Sequence, residues 1–132
     1  MHTTAMEAAI YLAEVLTDEG ETGEALAVVE AAEQAAGVDA AMLAPSAALA
    51  RAEALSAAGR HADADTVATA GIDAARAMGD GYKFGQLLLV RGAARERLGL
   101  QSWSDDEGQA LVLLEKMGVA ADLRPAATLT SQ

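Results

Sequence analysis

His61, Asp63 and Asp65 are the nearest thing in the chain to a metal or acid-base cluster. A metal ion or a general acid-base pair needs such groups to converge on one point. On a helix, alternate residues project to different sides, so this spacing does not bring the three together. The run reads instead as an acidic first turn complementing the helix dipole, with His61 near the cap. Serine, histidine and aspartate all occur, but nothing resembles a nucleophile elbow or sets a serine beside a base. The 12 glycines are spread singly, and Gly79-Asp-Gly81 is not followed by the Lys-Ser/Thr of a phosphate-cradling loop. Gly71 and Gly92 suit close approach between helices better than ligand contact. With 0 cysteines there is no disulfide, thiolate metal site or thiol nucleophile. The expectation is a chain with no catalytic residue, no metal and no cofactor, and so not an enzyme.

The residues that remain must act by position, and composition says what positions them. The 132 residues suit one domain. Alanine, the best helix former and a poor strand residue, occurs 34 times against 2 prolines, which predicts an all-α protein. Aromatic residues are confined to Tyr11, Tyr82, Phe84 and Trp103. Twenty acidic side chains against 9 basic ones give a formal charge of −11. Such a surface repels phosphate backbones and anionic lipid, so neither nucleic acid nor membrane is an expected partner. No apolar run reaches the roughly 20 residues of a membrane span, and the N-terminus carries no basic-then-apolar export signal. The expected location is the cytoplasm. Seven Arg against 2 Lys, with the high alanine content, hints at a GC-rich bacterial genome.

Glycines punctuate the chain in two interleaved series. Gly20, Gly59 and Gly99 recur at intervals of 39 and 40, and a small residue (Ala13, Ala52, Gly92) precedes each by seven. Gly37, Gly79 and Gly118 recur at 42 and 39. Two series with one period describe three helix-turn-helix units, about 4–37, 45–79 and 82–118, within a single domain 1–119. Each glycine suits a left-handed residue just past a helix end. Six helices follow, roughly 4–19, 22–36, 45–58, 61–78, 82–98 and 104–117. Thr4-x-x-Glu7 and Ser104-x-x-Glu107 have capping-box spacing, and Pro45 suits a first helical turn. Small residues let neighbouring helices approach, Ala25, Ala64 and Ala110 serving from the second helix of each pair. The segment 120–132 lacks a helical stripe and is expected to be a flexible tail.

These units resemble tetratricopeptide repeats over about residues 5 to 118. Each first helix carries a Leu or Arg, then Ala or Gly, then Leu, and closes on glycine. Each second helix has an early alanine, as in Gly20-Glu-Thr-Gly-Glu24-Ala25 and Gly59-Arg60-His-Ala-Asp-Ala64. The period is longer than the family's usual 34. The early tryptophan and the closing proline of the family are absent, and the third unit places about six extra residues before Ala110. The pattern is similar to the longer, degenerate repeats of bacterial LuxR-type, ATP-dependent transcriptional regulators and of some adenylate cyclases. Leu49-Ala-Arg-Ala-Glu-Ala-Leu55 and Leu113-Leu-Glu-Lys-Met-Gly118 carry that likeness.

The resemblance implies a right-handed α-α superhelix whose first helices line a concave groove. Its groove positions fall on Glu7, Glu14 and Asp18, on Glu53, and on Gln86 and Arg97, with Tyr11 beside them. Four acids against one Arg suit a basic protein or peptide, although solvated carboxylates on an acidic protein would give the same pattern. The groove lacks the Lys and Asn of versions that clamp a terminal carboxylate. Trp103 is either an interface anchor or a cap folded over the last helix pair. Uncapped ends of the stack favour homo-oligomers. The expected function is non-catalytic docking in a bacterial regulatory or signalling protein. The alternative is a small-molecule effector sensor in a multidomain transcriptional regulator, which would want more aromatic lining than the chain supplies.

Overall fold

The computed structural model describes residues 5–37 and 39–118, and among these the chain is all-α. The helices are α1 (Ala5–Asp18), α2 (Thr22–Ala36), α3 (Asp39–Met42), α4 (Ala44–Ala57), α5 (His61–Met78), α6 (Gly81–Arg97) and α7 (Trp103–Lys116). Six of them begin and end within one residue of the spans expected from the glycine series. The single turn α3, in the link between the first two units, was not expected. Thr4 and the segment 120–132 lie outside the described residues.

All six glycines of the two series have positive φ, and no other described residue does. At Gly59, φ is 81°, and the Arg60 N–H donates to the Leu55 carbonyl at 2.8 Å. The matching bonds, Glu21 to Leu16 at 2.8 Å and Leu100 to Arg95 at 2.9 Å, close α1 and α6 in the same way. A side chain at these glycines would strain that left-handed closure, which is why the turn residue repeats. At the other ends, Pro45 stands in the first turn of α4, and Asp80 caps α6 by accepting the Lys83 N–H at 3.1 Å. The Ser104-x-x-Glu107 box does not form. Helix α7 already begins at Trp103, so Ser104 is inside the first turn, and its hydroxyl donates to the Gln101 carbonyl at 3.3 Å. A cap hydroxyl must precede the first helical residue to reach the free amides beyond it.

The three hairpins are α1–α2, α4–α5 and α6–α7. Helix α4 also packs on α1 and on α6, which sets the three first helices side by side in one row; α2 stacks on α4, and α5 on α6. The core between them interleaves alanines with larger side chains: Ile10 and Val29 in the first pair, Leu49 and Ile72 in the second, Leu87, Leu88 and Leu114 in the third. Ala13 and Ala25 are fully buried in the first pair, as are Ala52 and Ala64 in the second. These alanines let the helices approach closely enough for the larger side chains to fill the space between them.

The third pair departs from the expected register. The link between α6 and α7 spans 98–102, two residues longer than 19–21 and 58–60 and not six. Counted from the helix starts, the partner of Ala25 and Ala64 is therefore Asp106; Ala110 comes one turn later, level with Val29 and Ala68. Alanine spacing alone pointed to Ala110 because a carboxylate is not an obvious tenant of a small-residue position. Gly92 makes the room: a Cβ there would lie 3.2 Å from the Trp103 carbonyl oxygen and 3.3 Å from Asp106 Cβ. Gly71 similarly brings α5 onto its neighbours, where a Cβ would meet Ala48 Cβ at 2.6 Å.

Candidate functional site

The row of first helices sets equivalent positions next to one another. Six residues before the turn glycine stand Glu14 on α1, Glu53 on α4 and Ala93 on α6. Around them, helical spacing puts Glu14, Thr17 and Asp18 on one face of α1, Leu49, Glu53 and Ser56 on one face of α4, and Gln86, Leu89, Val90 and Ala93 on one face of α6. These faces meet in two adjoining cavities. One, of about 190 Å³, is walled by Glu14, Thr17, Asp18, Leu49, Glu53 and Gln86. The other, of about 330 Å³, shares Thr17 and Glu53 and adds Ser56, Leu89, Val90 and Ala93. The groove thus has an acidic end and an apolar end. The boundary falls where the third unit has alanine in place of glutamate.

The acidic end concentrates like charge around Glu53. Water still reaches Glu53, but the surrounding protein strips part of its hydration, and Glu14 and Asp18 add like charge. Together these push its carboxyl up to about 7, with Lys83 pulling in the opposite direction. Two further oxygens in the wall, Thr17 Oγ1 and Gln86 Oε1, are shut off from solvent and have no hydrogen-bond partner among the described residues.

Of the groove residues expected from sequence, Glu14, Asp18, Glu53 and Gln86 come together in this cavity. Glu7 and Tyr11 lie on the same stripe of α1 but nearer its start; both are exposed, Tyr11 to 69%, and neither is in the cavity wall. Arg97 is the last residue of α6, exposed and outside both cavities. Trp103 opens α7, half-buried, with its carbonyl over Gly92. His61, Asp63 and Asp65 go separate ways. Asp63 pairs with Arg60 at 2.8 Å and Asp65 with Arg95 at 3.0 Å, while His61 Nδ1 is buried without a hydrogen-bond partner.

Sequence reading missed Thr17, Leu49, Ser56, Leu89, Val90 and Ala93 as groove residues. Their signal was present in the i, i+3, i+4 spacing around Glu14, Glu53 and Gln86. Reading it required the cross-helix register that the shared distance from the turn glycine supplies. Lys83, the cation that tempers Glu53, was likewise visible only once α4 and α6 lay side by side. None of the described helices is long and apolar enough to cross a membrane. Compared with protein-family models, curated proteins and solved structures, the chain finds no match in any of the three.

Proposed function

We propose that this chain is a non-catalytic docking module, a tetratricopeptide-like array of a bacterial regulatory or signalling protein, that binds a basic protein or peptide along the row α1, α4 and α6. The observation that carries this reading is the convergence of Glu14, Asp18 and Glu53, from two helices, with Gln86 from a third. Those carboxylates are adjacent because the repeat places equivalent residues of successive first helices side by side. A negative field focused in a concavity attracts and orients a cationic partner. Neither concave cavity has an aromatic side chain in its wall, which weighs against a planar small-molecule effector.

The test is a panel of immobilised 15-residue peptides, graded in net charge from acidic to basic, probed with the full chain at low and high salt. Binding should rise with positive charge, weaken with salt, and fall in the double variant Glu14→Lys, Glu53→Lys while helicity by circular dichroism stays unchanged. Basic peptides that bind the charge-reversed and native chains equally would sink the reading.

A further inference from the structure

The acidic and apolar ends of the groove share Thr17 and Glu53 in their walls, and that adjacency narrows what the groove can hold. Resting on the docking reading above, we propose that the junction takes one arginine side chain of a partner peptide, its guanidinium among Glu14, Asp18 and Glu53, with an aliphatic residue of the same peptide seated on Leu89, Val90 and Ala93.

The acidic end presents three carboxylates from two helices, Glu14 and Asp18 on α1 and Glu53 on α4. A ligand that satisfies them must be rich in donors and poor in acceptors. Guanidinium, with five N–H groups in a planar fork and no acceptor, has that inventory. Its fork bridges carboxylates on separate helices, and its weaker hydration suits a partly enclosed site better than a lysine ammonium. The cavity, at about 190 Å³, is smaller than the roughly 300–1,000 Å³ of pockets that enclose whole small molecules, which fits one side chain. Beyond it, Ala93 replaces the glutamate of the first two units, so the neighbouring wall is Leu89, Val90 and Ala93, with Leu89 and Val90 only half-buried. That surface gains from an apolar neighbour and offers nothing to a second cation. In an extended peptide, side chains two apart share a face, so arginine and leucine separated by one residue reach both ends at once.

The full chain is titrated with acetyl-Ala-Arg-Ala-Leu-Ala-amide and followed by amide chemical shifts. The expected shifts centre on Thr17, Glu53, Gln86 and Leu89. Replacing the peptide's arginine with citrulline, its neutral isostere, should weaken binding by about tenfold or more. Lysine should bind more weakly than arginine, and serine in place of the leucine should bind more weakly than leucine. The protein variant Ala93→Glu should abolish the preference for leucine over serine and leave the arginine-to-citrulline ratio standing. Citrulline binding as tightly as arginine would overturn the proposal, and so would lysine matching arginine or shifts centred elsewhere on the molecule. If the longer basic peptides bind through Glu14 and Glu53 while these exchanges have no effect, the docking reading survives and the arginine site falls. Failure of every basic peptide to bind removes both.

Discussion

Arg91 on α6 grips Asp106 on α7 with two hydrogen bonds, Nε to Oδ2 at 2.9 Å and Nη2 to Oδ1 at 2.8 Å. Asp106 is only 4% exposed, at the position that the first two hairpins give to alanine. A carboxylate so enclosed is tolerated because its oxygens are satisfied by cations. Arg95 Nη1 also reaches Oδ2 at 3.4 Å, while Arg95 Nε donates to Asp65 at 3.0 Å and Arg91 Nη1 to Thr69 Oγ1 at 3.3 Å. The hydrogen bonds to Asp106 hold Arg91 above even the usual arginine range. One polar network therefore ties α5, α6 and α7, at a position where the earlier hairpins carry a buried alanine.

Removing the carboxylate should unfasten that end of the stack. Asp106→Ala leaves Arg91 half-enclosed without its partner, and the expected loss is about 3 kcal/mol in urea unfolding followed by circular dichroism. Asp105→Ala, one residue away and exposed, should stay within about 0.5 kcal/mol of the native chain. Adding Arg91→Leu to Asp106→Ala should cost less than the two single losses summed, because the stranded cation is removed. Equal stability of the Asp105 and Asp106 variants would show that the fork does not fasten α7.

Glycines inside helices should divide by what surrounds them. At Gly71 an added Cβ meets Ala48 Cβ at 2.6 Å and Leu87 Cδ2 at 2.9 Å. The alanine cannot swing aside, so Gly71→Ala should destabilise by about 1–3 kcal/mol despite the better helix propensity of alanine. Gly23 in α2 has nothing within 4 Å of such a Cβ. Gly23→Ala should therefore stabilise by about 0.5–1 kcal/mol, and thermal melts of the two variants should move in opposite directions.

Much of this architecture was legible because turns and hairpins are local. Gly20, Gly59 and Gly99 mark closures set by a few successive residues, and the helix boundaries follow from them. The site was partly legible, since Glu14, Asp18, Glu53 and Gln86 follow from resemblance to a stacked array. Register across helices was not. The link before α7 is longer by two residues and not by six, so the small-residue position is Asp106 and not Ala110, and only the arginines facing it from α6 make a buried aspartate intelligible there. Tyr11 and Arg97 fell outside the cavity because a helical stripe is longer than the segment of it that meets its neighbours.

Glu53 should give the groove a pH response near neutrality. Gln86 of α6 faces it, and the lost hydration of Glu53, the like charges of Glu14 and Asp18 from α1 and the opposing pull of Lys83 from α6 together place its carboxyl at about 7 instead of 4.5. Because the folded chain keeps this proton after the unfolded chain has lost it, the contribution of Glu53 to stability is fully present below about 4.5. It disappears as pH rises through about 7. Glu53→Gln removes that slope, so urea midpoints of variant and native chains should differ more in the variant's favour at pH 8 than at pH 5. Affinity for an arginine peptide should run the other way. A cation binds the ionised carboxylate, so native affinity should climb as pH rises from 6 to 8, with protons released on binding at the lower pH. The Glu53→Gln chain should bind more weakly at pH 8 and show little dependence over that interval. Parallel pH profiles for the two chains in both measurements would place the proton on some other group.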